Sequence, residues 1–337
     1  MGLLLHDGVY VTPLETEAAV HICAPHGATV VEDPSLFRWF ERLRPLLDGS
    51  HSRADVIGSF PGHTAAKVAR VLDQLAEAKA VHDVGPEVPH ALSRAELTTY
   101  QEEIRFIGYH RAAAARAFET YRTTGCLVIG EGELLTACVR ACVASGLRLV
   151  RVGCAQSDGL TGLGTVPVRD PAQRIECHGL HDMTESAVDE LFRGIGIVIQ
   201  ANDPGRNWRH HLRPRTTVVE AVLDAGGAWL GPVTRHPAEL GWADVWSRQA
   251  AAEQDPKVRQ ARSTEPRGQG QAAATLIGNR LVHAVFRHVT ESGEGPRPHY
   301  SRVDFTTLAS TDHRVLAHPY EHLVEPAGAA EFMNGID

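Results

Sequence analysis

An uninterrupted apolar run at residues 126–129 constrains the fold more than any other feature of this 337-residue chain. Cys126-Leu127-Val128-Ile129 is typical of a strand buried on both faces, and it leads directly into Gly130-Glu131-Gly132. A helix rich in Ala, Cys and Val follows and ends at Ser145-Gly146, and residues 147–152 are the next predicted strand. This order predicts an open, doubly wound α/β sheet in the second part of the chain.

The turn after the first of these strands departs from the dinucleotide-binding pattern G-x-G-x-x-G. The third glycine would stand at position 135, which is Leu135. The next strand ends in Val152-Gly153-Cys154 without an acidic residue for a ribose hydroxyl, and the nearest such residue is Asp158. The turn residues Gly130 and Gly132 therefore predict a retained fold with a degenerate nucleotide site and no bound cofactor, and a working nucleotide site is the alternative.

The first 85 residues predict a small separate unit. Short β-prone runs at residues 9–11, 19–23 and 28–32 are separated by proline and glycine, which predicts a three-stranded meander. Asp33-Pro34 then begins an amphipathic helix, and two further helices near 52–59 and 63–79 precede a closing strand at 80–83. Three strands followed by three helices is the arrangement of a winged helix-turn-helix.

Proline and polar residues mark the boundary between the two parts. Residues 85–92 contain two prolines and are typical of a linker, and Ser93 with Glu96 forms a capping box that begins the next helix. We expect a recognition unit at 1–85, a linker with lead-in helices at 86–122, and the doubly wound domain at 123–337. Within that domain, apolar spacing predicts a late helix over 276–286 and late strands at 304–308 and 314–316.

The charge balance argues against nucleic acid as a partner. The chain has 33 Lys and Arg against 41 Asp and Glu, a net charge of −8 with neutral histidine. The third N-terminal helix carries Lys67, Arg70 and Lys79, and Asp73 and Glu77 offset them. A winged-helix DNA-binding regulator is kept as an alternative. The sequence shows no membrane-spanning stretch and no signal peptide, so we expect a cytoplasmic chain that binds no membrane.

Cysteine and histidine patterns predict no metal site. The six cysteines lie in apolar segments and include no C-x-x-C pair, which is typical of reduced, buried thiols. Cys138 and Cys142 are four residues apart and are candidates for metal ligands on one helix face. The 19 histidines show no H-E-x-x-H pattern.

A cationic stretch follows the predicted strand at 196–200. Residues 206–215 contain four arginines, two histidines and a tryptophan. Because Arg and Trp are enriched where proteins bind one another, Arg206, Trp208, Arg209 and Arg213 are candidates for docking a partner, and a solvated loop is the alternative.

The order of these features resembles two known modules in succession. The N-terminal unit, with Leu46-Leu47-Asp48-Gly49 and residues 71–75 before Val81-His82-Asp83, resembles the PqqD-like recognition element of enzymes that modify ribosomally made peptides. The rest resembles the ThiF-like, ubiquitin-activating-enzyme superfamily. Its motifs in chain order are Tyr100-Gln101, Arg105, Gly130-Glu131-Gly132, Asn202-Asp203-Pro204, Leu230-Gly231-Pro232-Val233 and His318-Pro319.

The fusion of the two resembles the leader-peptide-binding partners of YcaO cyclodehydratases, called F proteins or ocin-ThiF-like proteins. The resemblance implies a winged helix-turn-helix fused to a ThiF-like Rossmann-type domain. It implies a non-catalytic subunit that binds a precursor leader peptide and presents it to a YcaO-type cyclodehydratase for heterocycle formation. It leaves a homodimer open. An ATP-dependent peptide-adenylating enzyme is the alternative. Superfamily members commonly hold zinc with two C-x-x-C pairs, but the corresponding stretches, 241–246 and 318–322, have no cysteine.

In such an element the leader adds a strand to the open edge of the meander and packs against the third helix. The resemblance places that edge at 28–32. Helical spacing assigns Val68, Leu72, Leu75 and Lys79 to the core side of the helix, and ordinary core positions are the alternative for Val30 and Val71. Lys67 and Arg70 would pair with leader carboxylates, and Val71 would meet apolar leader side chains. No catalytic residue is expected. The expected peptide-binding residues are Val30, Val31, Glu32, Lys67, Arg70, Val71, Gln74 and Ala78.

Overall fold

The computed structural model divides into two compact units, Met1–Phe118 and Glu119–Asp337. The lead-in helices, predicted as a separate segment at 86–122, belong by their contacts mainly to the first unit. The structure describes residues 2–14, 19–24, 27–85, 88–155, 163, 166–181, 183–202, 208, 211–223, 226–234, 245, 270–291 and 299–315.

The first unit contains two small antiparallel sheets. The predicted three-stranded meander is confirmed, with β3 between β2 and β4, and the predicted closing strand is β5. β5 pairs with β1, a strand that the sequence patterns did not indicate. The strands are β1 (Gly2–Leu5), β2 (Tyr10–Leu14), β3 (Ala19–Ala24), β4 (Gly27–Val31) and β5 (Val81–Val84).

Three helices cover one face of the meander and enclose the core of this unit. Ser52 begins α2 with a capping box that Asp55 completes, so its first backbone amides are satisfied. Fully buried core residues come from β3 (Val20, Ile22), α1 (Leu36) and α3 (Leu72, Leu75). The helices are α1 (Leu36–Leu43), α2 (Arg53–Gly58), α3 (Gly62–Glu77), α4 (Arg94–Thr99), α5 (Gln101–Gly108) and α6 (Ala114–Thr123), the last of which crosses the unit boundary.

A pair of stacked imidazoles links the β1–β5 sheet to the lead-in helices. His6 is 4% exposed, and its ring lies 4.1 Å from that of His82 on β5 and 4.8 Å from that of Tyr109. Burial lowers the pKa of His82, and the nearby Asp83 carboxylate opposes this shift. Arg105 lies beside this cluster as well, paired with Asp7 at 2.9 Å.

Acidification is expected to loosen this imidazole stack. The pKa of His82 in the folded chain is lowered from 6.5, so its stabilising contribution is complete above that value and declines as the pH falls below it. Hydrogen exchange of the β5 amides in the full chain, measured from pH 8 to pH 5 and corrected for intrinsic rates, should show reduced protection at the acid end. His82→Phe should flatten the profile, whereas the exposed His63→Gln should not. The same profile in His82→Phe would contradict this assignment.

The second unit is built around an eight-stranded mixed sheet in the order β13-β12-β11-β10-β9-β6-β7-β8. Strands β6 to β10 pair in parallel, and β11 to β13 continue the sheet antiparallel. The predicted late strands lie a few residues earlier than expected, as β12 and β13. The strands are β6 (Gly125–Gly130), β7 (Leu149–Cys154), β8 (Arg174–Gly179), β9 (Ile195–Ala201), β10 (Thr217–Leu223), β11 (Gly227–Leu230), β12 (His299–Asp304) and β13 (Ser310–Arg314).

Helices α7 (Gly132–Ala144), α8 (Glu185–Phe192) and α9 (Gln271–Val289) accompany this sheet. α7 and α9 pack closely because Gly278 of α9 lies against Ala137, where an added Cβ would come within 2.9 Å of its backbone and side chain. The predicted late helix is thus confirmed. No helix within the described ranges is long and apolar enough to cross a membrane.

A buried ion pair closes the carboxyl end of α7. The Arg122 side chain is 1% exposed and donates to the carbonyl of Gly146 at 2.7 Å and to the carboxylate of Asp170 at 2.9 Å. Gln173 donates its amide to the carbonyls of Val143 and Leu147, at 2.7 and 3.0 Å. These side chains satisfy backbone carbonyls that a helix end leaves without intrahelical partners.

Candidate functional site

The three-stranded sheet of the first unit has two edges of different character. β2, at one edge, carries Pro13, which has no backbone N–H and therefore obstructs the addition of a further strand. β4, at the other edge, contains no proline and no charged residue, and no described strand pairs with its outer side. β4 is therefore the edge of this sheet that can accept an extended peptide.

Side-chain alternation along β4 decides which residues face the helices. Thr29 pairs with Ile22, and Val31 pairs with Val20, both of which are fully buried on the helix side. Thr29 nevertheless stays exposed, so the helix side of the sheet is uncovered at β4. Val30 points to the opposite face and is 52% exposed. Val30, expected to bind a peptide, thus lies on the face opposite the helices, and Thr29 is the helix-side residue that sequence reasoning missed.

Two cations of α3 lie near the end of β4. Lys67 and Arg70 are both exposed, and both attract the carboxylate of Asp33, which follows the strand. The pKa of Asp33 is lowered chiefly by the hydrogen bond from the Ser35 hydroxyl, and these two cations lower it further. Glu32 is exposed beside it. This end of α3 thus attracts carboxylates, and Asp33 offsets part of its charge.

The remaining expected residues of α3 divide between surface and core. Gln74 is partly buried, and no donor among the described residues bonds its Oε1. Ala78 is partly exposed and packs on the core. Val71, expected to meet a peptide, is instead fully buried, because α3 uses four positions on its core side. Lys79, expected to face the core, is exposed beyond the helix end.

These residues form one candidate binding surface, which we call the β4–α3 surface. A strand added to β4 would turn alternate side chains toward the helix side of the sheet, where Lys67 and Arg70 attract the carboxylate that follows β4. The surface comprises Thr29, Val31, Lys67, Arg70, Gln74 and Ala78.

The second candidate site is the crevice at the carboxyl ends of β6 and β9. The connections from these neighbouring parallel strands leave in opposite directions, which is where open α/β sheets bind ligands. Gly130 ends β6 with φ +151°, and an added Cβ would lie 1.8 Å from the carbonyl oxygen of Ala201. Asn202 caps the neighbouring strand, since its Oδ1 accepts from the amide of Leu223 at 2.8 Å.

The backbone amides at the start of α7 can bind a phosphate group, but the acidic side chains there would repel a phosphate that has no cation beside it. Gly132, the first helical residue, has φ +69°, and nothing lies within 4 Å of an added Cβ, so a ligand can approach the helix amides. Glu131 and Glu133 are exposed there, and the described turn at 130–134 contains no Lys or Arg. The arrangement fits a phosphate that is accompanied by a divalent cation.

The other residues that the sequence analysis linked to a nucleotide site are either buried or outside the described residues. Leu135, at the position of the third glycine, is fully buried, and β7 ends at the buried Cys154. Asp158 and Asp203 lie outside the described residues, as do the motif at 318–319 and all but Val245 of the stretch 241–246.

The cysteine pair at the core of this unit is not arranged for reactivity. Cys138 and Cys142 are fully buried, and the Sγ of Cys142 lies 3.9 Å from that of Cys126. A hydrogen bond with Cys126 and burial raise the pKa of Cys142, and burial raises the pKa of Cys138, so these thiols stay protonated. Among the described residues, no group of three His, Cys, Asp or Glu is placed to hold a metal ion.

The structure separates the residues of the predicted docking segment. Trp208 is 4% exposed and packs near Phe192, with ring centroids 5.8 Å apart, so it is a core residue and not a surface anchor. Arg213 is exposed. Arg206 and Arg209 lie outside the described residues. Trp208 is thus corrected as a docking residue, because its ring completes the cluster beside α8.

Comparisons with known proteins show a likeness to solved structures but do not assign the chain to a family. No family model and no curated protein matches the chain. Among solved structures, E. coli MccB with AMPCPP and MccA has a TM-score of 0.70 at 10% identity, covering 95% of this chain and 98% of that one. The microcin C7 biosynthetic enzyme MccB with N-formylated MccA gives 0.70 at 11%, with the same coverage. PaaA gives 0.60 at 12%, covering 92% and 99%.

The structural likeness to MccB extends over nearly the full length of both chains. Because the sequence identity is only 10%, the likeness shows the fold alone. The chain therefore has the fold seen in MccB, with a first unit that contains a small three-stranded antiparallel sheet and a second unit that is a Rossmann-type α/β sheet with helices.

Proposed function

We propose that this protein binds an extended segment of a ribosomally made precursor peptide and takes part in its modification. The observation that carries the proposal is the asymmetry of the meander, in which Pro13 obstructs β2 whereas β4 keeps an open, uncharged edge. Backbone hydrogen bonds to β4 would supply affinity, and the β4–α3 surface would supply selectivity. The solved relatives in fold support the class of partner, because MccB is a biosynthetic enzyme solved with MccA.

For the second unit, ATP-dependent activation of the bound peptide is the first candidate. MccB has been solved with ATP and with AMPCPP, and its likeness to this chain includes both units. Here the amides at the start of α7, opened by Gly132, would hold phosphate oxygens, and Glu131 and Glu133 would hold the accompanying divalent cation. ATP would supply the phosphoanhydride whose cleavage activates a peptide carboxylate.

A non-catalytic role is the second candidate, supported by the crevice itself. The described turn at 130–134 contains no Lys or Arg, and the buried Leu135 stands where the fingerprint has its third glycine. In that case the first unit would bind the leader, and the second would present the peptide to a YcaO-type cyclodehydratase. A flexible peptide tethered in this way experiences an effective concentration of about millimolar at the partner's active site.

A single experiment tests the proposal and separates these candidates. The probe is a fluorescent leader peptide from a short open reading frame beside the gene, titrated against the full chain by anisotropy. Thr29→Asp should weaken binding at least about tenfold, because a charge on the helix side of β4 disfavours strand addition. Thr12→Asp makes the same change on the exposed part of β2 and should bind as the parent does.

The same samples are then assayed for ATP–pyrophosphate exchange. Exchange that requires the peptide supports ATP-dependent activation. Leader binding without exchange supports the presenting role. Absence of leader binding by the folded chain, or equal weakening by the two threonine variants, contradicts peptide capture at β4.

A further inference from the structure

Arg42 of α1 lies in the angle between two aromatic rings on the surface of the first unit. Its guanidinium carbon lies over both rings, 4.9 Å from the ring centroid of Trp39 and 5.4 Å from that of Phe60. The two rings meet edge to face, with their centroids 5.9 Å apart. Stacking of this kind uses the plane of a guanidinium and leaves the N–H groups at its edge for other partners.

The two rings hold this cation in place. Trp39 and Phe60 are both partly buried and pack against the core of the unit, so each ring is anchored on one side and accessible on the other. Arg42 itself is exposed. Because the rings already order its long side chain, less conformational entropy is lost when a partner binds to it.

The charge around this stack is positive. Arg38 is exposed one turn before Arg42, and no described carboxylate forms an ion pair with either guanidinium. Glu41, the one acidic residue of α1, lies on the side of Arg38 away from the rings. Residues 56–66, which supply the second ring, include no Asp or Glu. The stack thus keeps a local excess of positive charge on a chain whose net charge is −8.

We propose that the stack and Arg38, which together we call the α1 patch (Arg38, Trp39, Arg42 and Phe60), dock an acidic segment of a partner protein in which carboxylates flank an apolar side chain. The two arginines are four residues apart, about 6 Å along the helix axis, and each suits one carboxylate. The accessible sides of the rings suit the apolar side chain, since Trp and Arg are the residue types that anchor protein interfaces.

This inference goes beyond the proposed function, because the α1 patch shares no residue with the β4–α3 surface and takes a different partner. An acidic protein segment also fits the patch better than nucleic acid does. Binding of nucleic acid draws on many contacts between phosphates and Lys or Arg. The patch offers two arginines, and the excess of Asp and Glu in the chain repels a long polyanion.

The experiment measures the anisotropy of three labelled peptides titrated with the full chain. The acidic peptide is Gly-Ser-Asp-Glu-Leu-Asp-Glu-Phe-Ser-Gly. The neutral peptide has Asn and Gln in place of Asp and Glu, and the third peptide keeps the acids but has Ser in place of Leu and Phe. We expect the acidic peptide to bind at least about tenfold more tightly than the neutral one, and several-fold more tightly than the third, which buries no apolar side chain on the rings.

Variants of the exposed Arg42 locate the binding. Arg42→Glu should weaken binding of the acidic peptide at least about tenfold. Arg42→Lys should weaken it several-fold, because an ammonium keeps the charge but loses the planar fork that stacks on the rings. Arg94→Glu is the matched control, since it makes the same charge change on an exposed arginine outside the patch, and it should bind as the parent does.

Equal binding of the acidic and neutral peptides, or equal weakening by Arg42→Glu and Arg94→Glu, overturns the proposal. Loss of binding in Arg70→Glu but not in Arg42→Glu also overturns it, because the peptide would then lie on the β4–α3 surface. Tighter, Arg42-dependent binding of a labelled DNA duplex, or an oligomer of the chain that Arg42→Glu dissociates, would name a different occupant and overturn it as well. If the leader binds and depends on Thr29 while the acidic peptide fails to bind, the α1 patch is wrong and the proposed function stands.

Discussion

Replacing Gly130 with alanine is expected to unfold the second unit. The added Cβ would lie 1.8 Å from the Ala201 carbonyl oxygen, which belongs to the neighbouring strand β9 and cannot rotate away as a side chain can. The φ of +151° adds strain for any residue with a Cβ. Together these effects should destabilise the unit by roughly 3–5 kcal/mol. Hydrogen exchange of β6 and β9 in the full chain should then approach that of an unfolded segment.

Gly132→Ala is the matched control for this change. Gly132 lies two residues away with a positive φ of +69°, but an added Cβ there has no atom within 4 Å. Only the backbone strain applies, about 1–2 kcal/mol, and exchange of β6 should rise modestly. Equal protection in Gly130→Ala and the parent would show that β6 and β9 do not approach each other as described.

Asp170→Ala is expected to produce the second large loss of stability. The Asp170 carboxylate lies 2.9 Å from the Arg122 guanidinium, and the Arg122 side chain is 1% exposed. Replacing Asp170 takes away a carboxylate that neutralises this buried cation, which keeps its hydrogen bond to the Gly146 carbonyl. Leaving a buried charge without its partner typically destabilises a protein by about 3–5 kcal/mol. The midpoint of urea unfolding, followed by exchange of α7 and β7, measures this loss.

Glu190→Ala supplies the comparison for an exposed ion pair. Glu190 and Arg193 approach within 2.7 Å, but their side chains are 57% and 67% exposed, so water already solvates both charges. Its loss should change stability by less than about 1 kcal/mol. The double variant Arg122→Met, Asp170→Leu should regain part of what Asp170→Ala loses, because it buries no charge. A double variant as unstable as Asp170→Ala would contradict the electrostatic explanation.

Much of the first unit follows from local sequence signals. The meander, its three helices and the capping boxes depend on residues close together in the chain, such as Ser93 and Glu96. β1 escaped prediction because Gly2–Leu5 is a short run without alternation, and its partner β5 is far along the chain. Pairing over such a separation is a property of the packed unit, which no local pattern reports.

The second unit shows the same limit. The sequence predicts β6, α7, β7 and β9, whose apolar runs are nearly continuous because both faces of each strand are covered. β8 has partly exposed residues throughout and gives no such signal. Trp208 has the composition of a surface anchor, but its burial depends on α8 and on Phe192, which a motif cannot reveal.

The candidate peptide site could be predicted in outline but not in side-chain detail. Helical spacing predicts one accessible stripe of α3 with Lys67, Arg70, Val71, Gln74 and Ala78. The two cations are exposed and Gln74 and Ala78 are partly exposed, but Val71 is fully buried, because the core side of the helix is wider than one stripe. That Thr29 lies on the helix side of β4 could have been predicted, because it pairs with the apolar Ile22 of β3 and residues paired across strands share a face of the sheet.

The contrast between the sheet edges formed by β4 and β13 affects how the protein behaves when it is concentrated. β13, the outer strand of the large sheet, carries Asp312, His313 and Arg314, and such charges discourage two copies from pairing edge to edge. β4 has no such residue, and its exposed Ala28, Thr29 and Val30 resemble a segment prone to aggregate. The opening that admits a peptide thus also admits a second molecule, and an occupying peptide would act as a protective strand that keeps the protein dispersed.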